Sequence, residues 1–124
     1  MILGIGIDIA SVERILNIEK KYGDRFRSRV LSPRELSVIP SRNRGEFIAG
    51  RFAVKEAVLK ALGTRGIGLT EIEVMNDKNG KPYILNPGAL CARAGFANAV
   101  LHISITHERT AAAGVAIISG PGGP

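Results

Sequence analysis

RFAVKEAVLKALG, from Arg51 to Gly63, is the stretch whose reading decides how this chain folds. Val54, Val58, Leu59 and Leu62 recur at helical spacing and can turn to a core, and Gly63 supplies a stop. Glu56 and Lys60 lie one helical turn apart and share a face with Phe52. Two readings fit that pair. One is a solvated ion pair, worth about 0.2–0.5 kcal/mol on an exposed face. The other is a site that handles a metal or a phosphate, which explains charges held inside an otherwise apolar helix.

The amino terminus bears on that choice. MILGIGIDI is an apolar run suited to a buried strand, interrupted by Asp8 between Ile7 and Ile9. Strand alternation sends Leu3, Ile5, Ile7 and Ile9 one way and Gly4, Gly6 and Asp8 the other. Two glycines on one face let a helix approach closely, and a buried carboxylate needs a partner. A helix carrying Glu56 laid on that face would bring two carboxylates together, an arrangement that suits Mg²⁺ completed by waters and substrate phosphates. Alternatively Asp8 is a strand-end cap for the helix that follows.

Outward from these two segments the chain reads as mixed elements in one α+β domain over residues 1–119, with 120–124 as a disordered tail lacking packing residues. Ser11 caps a helix of about Val12 to Tyr22 that stops at Gly23. Ser32, Pro33 and Glu35 fit a capping box opening a short helix that ends before Pro40. The long helix begins near Arg42 to Glu46. EIEVMN and KPYIL read as strands joined by DKNG, whose Asn79-Gly80 pair is a hairpin signal. Asn86 and Pro87 start another short helix, and LHISITH and TAAAGVAIIS form two antiparallel strands around Glu108-Arg109.

A single cysteine, Cys91, cannot form an internal disulfide and reads as a small core residue. No signal-peptide succession and no apolar run of spanning length occur, so a soluble, cytoplasmic protein is expected. The net charge of +6 calls for an anionic partner. Arg14 to Arg34 concentrates it, with Lys20, Lys21, Arg25, Arg27 and Arg29, as a solvated face or a docking surface. An RNA-binding module would also need exposed aromatics for stacking, whereas the aromatics here are few and mostly at core-like positions. His102 and His107 are five residues apart, so on a regular strand they point to opposite faces and cannot share one metal. His102 goes with Ser104 and Thr106, and His107 with Ile103 and Ile105.

The residues quoted carry a resemblance. GIGIDI near the start, GRFAVKEAVLKALGT in the middle, NGKP at Asn79 to Pro82 and HISITHERTAAAGVAII at the close resemble the 4′-phosphopantetheinyl transferases. The short chain is similar to their holo-acyl-carrier-protein synthase branch from Met1 to about Ser119. The resemblance implies an antiparallel sheet packed against one long helix and shorter helices. It implies transfer of phosphopantetheine from coenzyme A to a serine of an apo carrier protein in fatty acid biosynthesis, releasing adenosine 3′,5′-bisphosphate. Asp8, Glu56, Lys60 and His107 are then the candidate catalytic residues, with Asp8 and Glu56 holding Mg²⁺ and Lys60 meeting phosphate. Intact Asp8, Glu56 and Lys60 argue against a non-enzymatic scaffold.

The same resemblance implies coenzyme contacts from Arg51, Lys60, Gly63, Lys81, Pro82, Thr106 and His107, although a surface arginine and a hairpin turn explain Arg51, Lys81 and Pro82 nearly as well. Lys55 points about 100° from Glu56 on an ideal helix and is assigned to another subunit or the helix surface. For the serine proton, a hydroxide held by the cation, Glu56 through a water, and His107 are all open, with Glu35 a fourth candidate. Carrier proteins of the family are acidic, which assigns Arg14, Lys20, Lys21 and Arg25 to partner binding. A homotrimer with each coenzyme site between subunits is implied as well.

Overall fold

The computed structural model describes residues 1–121, so residues 122–124 of the expected tail lie outside the described residues. Strand β1 (Ile2–Ser11) runs straight into helix α1 (Val12–Tyr22), followed by helices α2 (Asp24–Val30), α3 (Pro33–Leu36) and α4 (Arg44–Leu62). A 3₁₀ turn (Leu69–Glu71), hairpin strands β2 (Val74–Asn76) and β3 (Pro82–Ile84), helix α5 (Pro87–Arg93) and strands β4 (Val100–His107) and β5 (Ala111–Ser119) complete the order. The main sheet is antiparallel in the order β1-β5-β4, and β2-β3 forms a separate pair. This is the α+β architecture expected, with α4 as its long helix.

Helix α4 lies on the sheet backbone because glycines leave room for it. A Cβ on Gly6 would stand 1.9 Å from the Ala57 carbonyl oxygen, one on Gly4 2.2 Å from that of Ala61, and one on Gly114 2.4 Å from Val54 Cα. The pairs Gly4–Ala61 and Gly6–Ala57 show strand and helix running in opposite senses. Two strand residues rise roughly 6.7 Å and four helical residues roughly 6 Å, so the next inward strand position, Asp8, falls level with the turn from Ala53 to Glu56. Gly114, opposite Asp8 and against Val54, agrees with that placement.

Two apolar clusters share α4. One joins Val54, Val58 and Leu62 to Ile72, Val74, Ile84, Leu90, Cys91 and Ile118, and the other joins Ile48, Ala49 and Ala53 to Val12, Ile15, Val30 and Leu31. Cys91 is fully buried as expected, and burial pushes its thiol up. The opposite face of the sheet is bare in the single chain: Ile5, Ile7 and Ile9 are 65–70 % exposed.

Local chemistry explains most boundaries. The Ser11 hydroxyl accepts the Arg14 N–H, and Gly23 ends α1 at φ 56°. Ser32 and Glu35 form the full capping box. In the hairpin, Asp77 Oδ1 accepts the Asn79 and Lys81 N–H groups at 2.8 and 2.9 Å, with Gly80 at φ 84°. Two differences from the sequence reading stand out. Helix α2 was not anticipated, because Gly23 both ends α1 and begins α2. The EIE half of EIEVMN is not strand: Glu71 accepts the Gly68 N–H at 2.7 Å and pairs with Arg93, which fixes a 3₁₀ turn there.

Candidate active site

One group of charges sits where β1 meets α4. Lys60 Nζ donates to Asp8 Oδ1 and to the Ile7 carbonyl, both at 3.0 Å. The side chain of Asp8 is 22 % exposed and that of Lys60 55 %. Helical side chains lean toward the amino terminus, so Lys60 reaches back past its neighbour one turn earlier, Glu56, to meet Asp8. Glu56 is half-buried and has no ion-pair partner among the described residues. Of the sequence-predicted trio, Asp8 and Lys60 are in contact at the open edge of the sheet, and Glu56 lies one turn before Lys60 on α4. Among the described residues no three His, Cys, Asp or Glu side chains surround one point. A cation here would have two carboxylates and would need its remaining oxygens from water or substrate.

A second group lies on the other flank of α4. Arg51 is buried, its guanidinium stands 4.2 Å from the Phe47 ring centroid, and it hydrogen-bonds Asn76 Oδ1. Its Nε is buried without a partner, and burial pulls its pKa down against the opposing charge of Glu35. With His107, Ile105, Arg42 and Glu46 it lines an open cleft of about 310 Å³. Pro82 pairs with Asn76 across the hairpin, which sets Lys81 and Pro82 on this side. Thr106 turns to the outer face of the sheet, beside Ile9 and Ala113.

These two groups do not meet within one chain. Arg51 and Lys60 are separated by roughly 13–14 Å along α4 and half a turn around it. Asp8 on β1 and His107 on β4 occupy opposite edges with β5 between, two strand spacings or roughly 10 Å apart at the least. Gly63, at φ 65°, closes α4 beyond Lys60, far from the Arg51 cleft.

Residues 4–115 match the model of the 4′-phosphopantetheinyl transferase superfamily. The chain belongs to that superfamily. It is 46% identical over 122 residues to a holo-[acyl-carrier-protein] synthase of Nitratidesulfovibrio vulgaris, covering 95% of this chain and 98% of the relative. The crystal structure of the synthase from Neisseria meningitidis superposes with a TM-score of 0.85 at 34% identity, over 96% of this chain and 99% of that one. That of a Bacillus anthracis synthase in complex with CoA (3′,5′-ADP) superposes at 0.81, also with 34% identity, over 98% and 99%.

Within this 4′-phosphopantetheinyl transferase chain, the basic segment builds a groove between α1 and α2. Two adjoining clefts of about 330 and 140 Å³ have Ile18, Phe26 and Phe52 as their apolar floor and Arg14, Arg25 and Arg29 at their margins. Lys20 and Lys21 are exposed beyond the lining, and Lys21 stacks on Tyr22 at 5.3 Å. Arg27 is committed elsewhere, to Glu19 and Asp24. Phe26 escaped the sequence reading, and Arg29 was read there only as one charge of the basic run. Their signal was the spacing of Arg25, Phe26 and Arg29 along one side of a helix, which becomes legible once α2 is recognised.

Two sequence assignments are corrected. Lys55 does not lie on the helix surface: it is fully buried, donating to Glu35 Oε1 and to the Val30 carbonyl, each at 2.5 Å. Burial pulls its pKa down while Glu35 opposes the shift. Glu35, the fourth base candidate, is equally buried. It accepts from Lys55 and the Ser32 N–H on Oε1 and from the Val74 N–H on Oε2, which leaves it closed to a substrate proton. His102 and His107 part as expected, His102 bonding Ser119 Oγ at 2.8 Å on the outer face.

Proposed function

We propose that this protein transfers the 4′-phosphopantetheine group of coenzyme A to a serine hydroxyl of an apo acyl carrier protein, yielding holo carrier protein and adenosine 3′,5′-bisphosphate for fatty acid biosynthesis. The observation that carries this reading is the Asp8–Glu56–Lys60 group at the meeting of β1 and α4, in a chain that matches the superfamily over most of its length. The serine oxygen bonds to the phosphorus that bears pantetheine, the bond from that phosphorus to the pyrophosphate bridge breaks, and the serine proton departs. Such a displacement asks the protein chiefly for alignment and charge neutralisation.

The residues present fit Mg²⁺. Their donors are carboxylate oxygens, and Asp8 already pairs with one positive group, the Lys60 ammonium. When bound, the ion would neutralise the pyrophosphate and orient it. Asp8 and Glu56 would hold it, and Lys60, released from Asp8, would extend into the phosphates as a point charge. His107 and Arg51 line a cleft suited to the nucleotide end, with Lys81 and Pro82 beside it. The acidic carrier protein docks in the α1–α2 groove through Arg14 and Arg25, with Lys20 and Lys21 adding to the field that steers it.

The reading includes a homotrimer. Asp8, Glu56, Lys60 and Gly63 flank α4 on one side and Arg51, Lys81, Pro82 and His107 on the other, so a neighbouring copy is needed to close a coenzyme site. The exposed Ile5, Ile7 and Ile9 supply an apolar face for that contact, with Thr106 on the same side of the sheet. No described helix is long and apolar enough to cross a membrane, and the cytoplasm is the compartment proposed. The test is incubation with coenzyme A, Mg²⁺ and apo carrier protein, followed by mass spectrometry. The carrier gains one phosphopantetheine, and Asp8→Asn or Glu56→Gln cuts the rate at least about 100-fold, roughly 2.7 kcal/mol, with circular dichroism unchanged. Absence of the mass increment, or near-normal turnover of either variant at low Mg²⁺, would overturn the assignment.

A further inference from the structure

The fully buried Lys55–Glu35 pair takes no part in the chemistry above, yet three segments converge on it. Lys55 Nζ caps the carbonyl of Val30, the last residue of α2. Glu35 Oε1 fixes the start of α3 through the Ser32 N–H, and Oε2 holds the first residue of β2 through the Val74 N–H. Around the pair, the Ser32 hydroxyl donates to Glu73 at 2.7 Å, joining α3 to the approach of β2 a second time. A buried carboxylate and ammonium without such partners would be strongly disfavoured, so this set is complete enough to be rigid.

Two of the elements the pair joins, α2 and α4, lead to the surfaces proposed above. Helix α2 spans only Asp24–Val30, enters from Gly23 at positive φ and leaves through extended Leu31. It carries Arg25, Phe26 and Arg29, one wall of the groove against α1. An ammonium on its last carbonyl is the favourable charge at a helix carboxyl end. On α4, Lys55 immediately precedes Glu56. With Lys55 pulled inward to Val30 and Glu35, the 100° step per residue turns Glu56 toward the β1 side of α4.

We infer that Lys55 and Glu35 are positioning residues that hold the α2 wall of the carrier groove at a fixed distance and angle from the Glu56–Lys60 turn of α4. The pair sets where the carrier's serine arrives relative to the phosphates, and touches neither. The inference rests on the carrier-transfer reading and goes beyond it by tying the two surfaces through one buried contact.

The test uses the full-length protein and the double variant Lys55→Met with Glu35→Gln, which removes both charges together and avoids leaving one buried alone. Glu35→Gln alone serves if the double variant does not fold. Hydrogen exchange reads position without reference to activity: amides of α2 and Val74 lose at least tenfold protection while those of α1 keep theirs. In steady state the Michaelis constant for apo carrier rises at least fivefold, the coenzyme A constant stays within twofold, and Lys55→Arg, which keeps the charge, recovers part of the carrier effect. A folded variant with unchanged α2 protection overturns the inference, as does one with loosened α2 and an unchanged carrier constant. A wild-type protein that fails to modify the carrier would instead refute the transfer reading, leaving the exchange result to judge whether the pair positions α2.

Discussion

Lys55 and Lys60 stand five residues apart on α4 and each faces one carboxylate, but the surroundings differ. Lys55 meets Glu35 with both side chains wholly buried, whereas Lys60 meets Asp8 with 55 % and 22 % of the side chains exposed. The first pair is closed by backbone groups on every side. The second is open to solvent, so neither charge is enclosed. In both, a lysine of α4 meets one carboxylate from another segment. Solvent access separates a fastening from a site.

The sharpest way to break that comparison is to remove each lysine. Lys55→Met leaves Glu35 buried and uncompensated, and should cost about 3–5 kcal/mol of stability. Lys60→Met should cost no more than about 1 kcal/mol, as for exposed pairs. Urea unfolding at one fixed protomer concentration decides. Equal losses would mean that exposure does not distinguish the two pairs.

The next effect is smaller and concerns the rim of the α1–α2 groove. Replacing Arg14 and Arg25 by Glu should raise the carrier Michaelis constant at least about tenfold, roughly 1.4 kcal/mol, and should make its salt dependence shallower. Coenzyme A affinity should not move. If the coenzyme constant rises instead, this groove belongs to the nucleotide pocket.

The smallest effect comes from a pair of intermediate burial. Glu19, 10 % exposed, is bound by Arg44 and Arg27. The Arg44 hydrogen bond, aided by Arg27 and opposed by burial, holds its carboxyl below the ordinary value of 4.5. The unfolded chain therefore binds more protons than the folded one in that window, and stability rises with pH there. The contribution is complete above the ordinary value and disappears as pH falls through the folded one. Acid unfolding of Glu19→Gln should show a shallower loss below pH about 5. An unchanged acid limb would show that Glu19 adds nothing.

Local rules carried the fold where one residue does one job. Gly4 and Gly6 on one strand face announced the close approach of α4, Ser32 and Glu35 announced α3, and Asn79-Gly80 announced the hairpin. They failed where one residue does two. Gly23 was legible as a stop and hid the start of α2, and with it the place of Phe26 in the groove. Glu35 was legible as a capping-box acid, but the same carboxylate also receives Lys55 from α4, and no local pattern reports a contact between such distant segments. At the site, the approach of α4 to the Asp8 face of β1 followed from strand alternation and helix periodicity. The division of Arg51 from Lys60 was present in the same periodicity, since nine residues amount to half a turn, and needed only the two flanks to be told apart.

The outward row of Ile5, Ile7 and Ile9 borders β1, a strand with a free edge, and β4 leaves the other edge of the sheet open. A newly made chain therefore carries unpaired backbone groups next to bare isoleucine, and in the proposed homotrimer it does so until it meets its neighbours. Synthesis that outruns that encounter diverts chains into irregular sheet-to-sheet aggregates, so the recovered yield should depend on how fast the chain is produced as much as on how stable the finished fold is.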